Sequence, residues 1–371
     1  MRSWNSITLG EVLPFKYGKN LPASKRTHSG EYDVVSSAGI IDSHDTAFTT
    51  EPCIVIGRKG SIGSLTYCPD PVWPTDTTFY VTGTPYCDLR FGYYVLQTLP
   101  LNQMNNDSAV PGLNRNDAES LAFSLPPVSK QKTIAKVLGS LDDKIAANQR
   151  TIQSADSLRN ALWDKLLKTN TESLPLSSLA EFINGRAFTK NATGTGRVVA
   201  RIAELNSGIG SNTIFNDIEV HQNHVVLPGE LLFAWSGTLM TKRWPYDEAI
   251  VNQHIFKVLP ISKFDLWALE LIIQSQIHYF QMIAAGKATT MGHIKRADLD
   301  KTVEVPTSIP DKLNMLGNTL WMLASQAEQE NQTLARTRDE LLPLLMTGKI
   351  TVQDAEEVSA EVGVDKHEVK E

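Results

Sequence analysis

"PPVSKQKTIAKVLGSLDDKI", residues Pro126–Ile145, opens on two prolines and runs on as an unbroken helical pattern. Pro126 and Pro127 hold the chain extended, and Ser129 stands where an N-cap oxygen is useful. Apolar residues then recur at Ile134, Val137, Leu138, Leu141, Ile145, Ile152, Ala155, Leu158, Leu162 and Leu166. At about 1.5 Å per residue, a helix over 128–168 is a rod of about 60 Å. The pattern returns in "VPTSIPDKLNMLGNTLWMLASQAEQEN" from Val305. There Leu313, Leu320, Ala327, Leu334 and Leu341 recur every seventh residue, and Leu316, Leu323 and Leu344 supply a companion stripe, which is a heptad seam. The seam is assigned to Leu138, Leu141, Ile145 and Ile152 on the first helix and Leu313, Leu320, Leu334 and Leu341 on the second. Ser308 with Asp311 reads as a capping box, Pro343 predicts a kink or an early end, and Gly348 suits the stop.

The segments before the two helices resemble each other. At a shift of 177, "IVIGRKGSIG" from Ile54 meets "LLFAWSGTLM" from Leu231, "PTDTTFYV" from Pro74 meets "VNQHIFKV" from Val251, and "DLRFGYYVLQ" from Asp88 meets "DLWALELIIQ" from Asp265. The shift becomes 180 for "PGLNRNDAESLAFSLPP" from Pro111 against "MGHIKRADLDKTVEVPT" from Met291, and 183 inside the helices. The starts match more loosely, "LGEVLPFKYGK" from Leu9 against "LAEFINGRAF" from Leu179. Short β-like runs such as "CIVIG" and "TTFYVTG", bounded by Gly and Pro, give each globule a mixed sheet. The expected architecture is α+β: two similar mixed α/β domains joined by two long antiparallel helices, a coiled-coil spacer with pseudo-twofold symmetry. Its segments are 1–127 (first domain), 128–168 (helix), 169–307 (second domain), 308–350 (helix) and 351–371, an acidic tail read as disordered.

Composition narrows the class. Hydrophobic content of 42% and charged content of 20% describe a globular chain. There is no apolar run of about 18 residues and no signal-peptide pattern, so no membrane role and a cytoplasmic location are expected. Cys53, Cys68 and Cys87 form no C-x-x-C pair, which excludes a zinc ribbon and a disulfide framework. Net charge is −6; the tail from Asp354 holds seven acids against two lysines, leaving −1 for the rest. That is no basic field, so contact with nucleic acid would have to rely on local patches or on a partner.

At this point the residues resemble a known family. "LPPVSKQKTIAKVLGSLDDKIAANQRTI" looks like the central conserved region of the DNA-sequence specificity subunits of type I restriction–modification systems. "TTMGHIKRADL" resembles the segment closing their target recognition domains, and "RTRDELLPLLMTGKI" their distal conserved region. "SIPDKLNMLGNTL" departs from the pattern by lacking the Gln-Ile-Ala reading of the first copy. The resemblance implies a subunit with no chemistry of its own. Each domain would read one half of a split, asymmetric site in double-stranded DNA. The helices would set the gap and dock two modification subunits, which use S-adenosylmethionine, while restriction subunits add ATP-driven cleavage. The alternative is a coiled-coil scaffold that binds protein partners and never reaches DNA.

A search for chemistry agrees with a non-catalytic role and no cofactor. There is no Asn/Asp-Pro-Pro-Tyr motif, no P-loop, and no His/Cys cluster for a metal. Base reading needs Arg or Lys for guanine and Asn or Gln for adenine, and phosphates take Lys, Arg, Ser and Thr. In the first domain the candidates are Arg58, Lys59, Ser61, Thr75, Asn114 and Arg115. In the second they are Ser236, Thr238, Lys242, Arg243, Asn252, Gln253 and His254, followed by Lys287, Thr289, Thr290, His293, Lys295 and Arg296.

Overall fold

The computed structural model describes residues 4–104, 112–286 and 292–364. It divides into two compact units, 1–143 with 334–371, and 144–333. Both long helices contribute to both units.

In unit 1, β1 (Asn5–Thr8) and the single turn α1 (Leu9–Val12) lead to β2 (Lys16–Tyr17). β3 (Tyr32–Ser36) and β4 (Gly39–His44) form a hairpin, followed by β5 (Cys53–Gly57), β6 (Leu65–Cys68), β7 (Trp73–Pro74) and β8 (Thr78–Thr82). α2 (Leu89–Thr98), α3 (Arg115–Glu119) and β9 (Ala122–Leu125) complete it. One sheet has the order β2-β8-β5-β6, a second β4-β3-β7, and β1 pairs with β9.

Unit 2 repeats this plan. Its elements are β10 (Thr171–Pro175), β11 (Ala180–Asn184), β12 (Arg197–Ala200), α5 (Ile202–Ser207), β13 (Phe215–Asn216) and β14 (Val225–Val226). Then come β15 (Leu231–Ala234), β16 (Met240–Arg243), β17 (Ala249–Val251), β18 (Ile255–Pro260), α6 (Leu266–Gly286) and β19 (Thr302–Pro306). The orders β11-β18-β15-β16 and β13-β12-β17-β14, with β10 on β19, match those of unit 1 strand for strand, with β14 added. Even the parallel pair recurs, β3 with β7 and β12 with β17. At the start of the repeat the true shift is 167: a Cβ on Gly18 would strike the carbonyls of Pro74 and Thr75, and one on Gly185 those of Val251 and Asn252. Both positions need glycine for the same close approach.

The strand cores explain why "LLFA" carries no polar alternation. Leu231 and Phe233 face a core shared with α6, while Leu232 and Ala234 face one shared with β12, β14 and β17. A strand covered on both faces reads as a continuous apolar run. "CIVIG" is likewise buried throughout.

α4 spans Val128–Leu167 and α7 spans Asp311–Met346. They run antiparallel: in unit 2, Asn148 bonds Glu330 at 2.6 Å while the Arg159 guanidinium lies 5.1 Å from the Trp321 ring, and in unit 1 Arg338 meets Asp142 at 2.7 Å. The seam residues Leu138, Leu141, Ile152, Leu320, Leu334 and Leu341 are buried, with Ile145 and Leu313 half-buried. The companion stripe is corrected. Leu316 and Leu323 are 46% and 43% exposed, and the inward residues are instead Gly317 and Ala324; on α4, Leu158 is exposed as well. A stripe four residues on from the heptad leucines closes an antiparallel seam as well as one three residues on. Small residues win here because they admit large neighbours, the Trp267 indole lying against Gly317.

The helix ends also differ from expectation. α4 begins at Val128, so Ser129 lies inside it, and the Pro310 carbonyl rather than Ser308 accepts the first bonds of α7. α7 continues past Pro343 to Met346, and Gly348 has φ +67 at the stop. Gln131 has a specific use. Fully buried, it accepts from the Asp88 amide and donates to the Tyr86 and Pro126 carbonyls, fixing α4 to unit 1. The expected disordered tail is not one over its first part: α8 (Val352–Glu361) is capped by Thr351 and buries Val352, Ala355 and Ser359. No helix among the described residues is long and apolar enough to cross a membrane.

Candidate nucleic-acid interface

In unit 1, four segments meet beyond the end of β5. The Arg58 and Lys59 amides both donate to the Thr77 carbonyl, the Arg58 carbonyl accepts from Leu113, and Lys19 donates to the Pro74 carbonyl. Unit 2 builds the same junction. The Trp235 amide donates to His254, the Trp235 carbonyl accepts from Ile294, and Arg186 donates to Val251. Gly60 and Gly237, related by the shift of 177, both take positive φ in the turn after this strand. Backbone geometry is therefore shared, and the side chains are not.

Arg58 is half-buried, its guanidinium 5.1 Å from the Tyr17 ring and 5.6 Å from the Phe79 ring. Beside it, Lys59 and Ser61 are exposed. Arg115 also lies near Tyr17, at 6.0 Å, but its Nε is bound to Glu119 at 3.0 Å. Thr75 is corrected to a structural role: it is buried, and its hydroxyl pairs with that of Thr77 at 2.8 Å. Asn114 caps α3, accepting from the Asn116 and Asp117 amides.

In unit 2, the Trp235 ring stands 5.0 Å from His254 and 6.4 Å from His293. His254 has φ +75, a left-handed backbone uncommon for a residue with a side chain. Thr238, Gln253, Lys295 and Arg296 are exposed. Two candidates are buried and structural: Ser236, in a bridge to His293, and Asn252, whose Oδ1 accepts from the Phe188 amide. Lys242 lines a separate hollow with Glu204, Tyr246 and Glu328. Lys287, Thr289 and Thr290 lie outside the described residues.

Arg243 is the main correction. Its side chain is 5% exposed and forks onto both Asp156 and Glu328, all four contacts at 3.0 Å, over the Trp321 ring at 4.9 Å. Burial works against its charge, but the Glu328 and Asp156 carboxylates outweigh it and raise its pKa. Four of its five N–H donors are spent on carboxylates and the side chain is buried, so it offers no free fork to DNA. Sequence reading missed Tyr17, Lys19, Arg186 and Trp235, although "KYGK" and "NGRA" carried the signal: a cation just after a glycine that permits backbone contact. Among the described residues no group of three or more His, Cys, Asp or Glu is placed to hold a metal.

Residues 1–156 match the family model described as the type I restriction modification DNA specificity domain. The chain is 26% identical over 145 residues to the type I restriction enzyme EcoprrI specificity subunit of Escherichia coli, covering 36% of this chain and 35% of that one. It is 23% identical over 206 residues to the EcoBI specificity subunit of the same species, covering 53% and 43%. The chain thus spans less than half the length of these curated relatives. In fold it is similar to the S subunit of a type I restriction–modification system from M. genitalium, with TM-score 0.61 and 15% identity over 92% of this chain and 96% of that one. Residues 1–156 are thus similar in sequence to a type I restriction modification DNA specificity domain, and the chain shares its fold along nearly its whole length with the M. genitalium S subunit.

Proposed function

We propose that the chain is the DNA-reading subunit of a type I restriction–modification complex and performs no chemistry itself. Each unit reads one half of a bipartite, asymmetric site in double-stranded DNA. The two long helices, which both units share, set the unread gap and dock two modification subunits; these carry S-adenosylmethionine chemistry, and restriction subunits carry the ATP-driven steps. The observation that supports this best is the junction built twice on the same backbone plan with different side chains (Arg58 against Trp235, Thr77 against His254). Duplicated scaffolds with unlike contact residues suit two unlike half-sites, because specificity resides in side chains on loops held by a rigid frame.

The test is selection from a randomised duplex library, with the complete chain alone and with modification subunits. The expected result is a split motif of two unlike halves at a fixed spacing. Enrichment of nothing under either condition would favour a protein-binding scaffold, the reading to which the net charge of −6 lends weight.

A further inference from the structure

We infer that Arg58 is the guanine-reading residue of unit 1, and that unit 2 reads the corresponding position without an arginine, through Trp235. The inference rests on the DNA-recognition reading above and assigns the base chemistry of its two halves.

Most arginines among the described residues are already paired with a carboxylate. In the strand-and-loop part of unit 1, Arg26 meets Asp42, Arg90 meets Asp143 and Arg115 meets Glu119. Among the described residues the Arg58 side chain has no carboxylate partner, and its hydrogen bond to the Asp76 carbonyl is a long contact of 3.5 Å. Its guanidinium is instead held by the Tyr17 and Phe79 rings. Stacking on aromatic rings restricts the side chain without consuming its donors, so the planar fork is positioned in advance. A fork with free N–H groups matches the O6 and N7 acceptors of guanine in the major groove. Tyr17 is 52% exposed, which puts this stacked pair at the surface.

The same backbone position in unit 2 cannot do this. Trp235 occupies it, with the equivalent strand-end bonds to His254 and Ile294. An indole has one N–H, and here that donor is spent on Asn184 Oδ1 at 2.9 Å. What remains is an apolar ring, suited to a thymine methyl group rather than to two acceptors. The duplicated junction thus holds unlike chemistry at one register position.

The experiment is library selection with the complete chain and its modification subunits, comparing wild type with Arg58→Lys, Arg58→Gln and Trp235→Ala. The wild-type motif should contain a required guanine in one half. Both Arg58 substitutions should weaken the preference for that guanine about tenfold or more. The other half should stay unchanged, which also shows that each variant is folded, and Trp235→Ala should alter only that other half. Three results would overturn the assignment: no guanine affected by Arg58, equal weakening on all sequences (a phosphate contact), or loss of both halves together (a structural role). Absence of any motif with the wild-type chain would instead sink the DNA-recognition reading beneath it.

Discussion

Replacing Arg243 with methionine removes the guanidinium from the ion cluster of unit 2 and leaves its volume nearly filled. Asp156, Glu270 and Glu328 would then share a single cation, Arg159, whose side chain is 3% exposed and already bonded to Asp156 at 2.9 Å and to Glu270 at 2.7 Å. Breaking a buried ion pair from one side costs about 3–5 kcal/mol, mostly through the carboxylates left uncompensated. For a unit of this size the same loss lowers the midpoint of thermal unfolding by about 6–20 °C. Fluorescence is a suitable assay, since Trp163, Trp235, Trp244, Trp267 and Trp321 lie in this unit and only Trp4 and Trp73 in the other.

The pH dependence carries a sign. Burial alone would raise the Asp156 pKa, but the hydrogen bonds and charge of Arg243, then of Arg159, hold it below the ordinary carboxylate value. In the wild type this stabilises at pH values above the unfolded pKa of about 3.9, and is lost as pH falls through the depressed folded value. In the variant, burial without Arg243 raises the folded value, so protonation relieves the penalty. The gap between variant and wild type should therefore narrow as the solution is acidified toward pH 4. Adding Glu328→Gln to Arg243→Met should restore about 0.5–3 kcal/mol. Unchanged stability with weakened DNA binding would refute this reasoning and return Arg243 to the DNA surface.

Gly317→Ala should destabilise unit 2 by about 1–3 kcal/mol, because the Trp267 ring lies where the new methyl must go; a gain of about 1 kcal/mol, as helix propensity alone predicts, would contradict this. Gln131→Leu should weaken unit 1 in urea unfolding by about 1–3 kcal/mol for each backbone group it leaves unpaired, at Asp88, Tyr86 and Pro126. His254→Gly should stabilise by about 1 kcal/mol by releasing a left-handed backbone, whereas His254→Val should destabilise, measured by thermal unfolding. Inserting seven residues in each long helix, which keeps the heptad register, lengthens it by about 10.5 Å and should widen the selected gap by about three base pairs. A motif with unchanged spacing would rule out the helices as its ruler.

The helices were legible because periodicity is a property of residue order. A leucine every seventh position marks a seam, but a count of large apolar residues misplaces its second stripe, since Gly317 and Ala324 contribute by being small. Strand cores were legible as unbroken apolar runs. The junction was legible in part: "GRKG" exposes Arg58, while Tyr17 and Lys19 join it through backbone bonds to residues about sixty positions away. The first part of the tail was misjudged because composition does not see that Val352, Ala355 and Ser359 share the inner face of α8, while Asp354, Glu357 and Glu361 are exposed.

By itself the sequence determined that one plan is used twice, because a shift of 177 needs only the order of residues. It also determined that two long helices alternate with two globules. Which cations are free was decided only by tertiary structure. In "TKRW", Lys242 and Arg243 read alike as basic residues near a turn. Strand alternation turns them to opposite faces: carboxylates 87 and 85 positions away, Asp156 and Glu328, hydrogen-bond Arg243, while Lys242 lines a half-open hollow. A charge is available for DNA only where the fold brings it no partner, and those partners come from elements far along the chain.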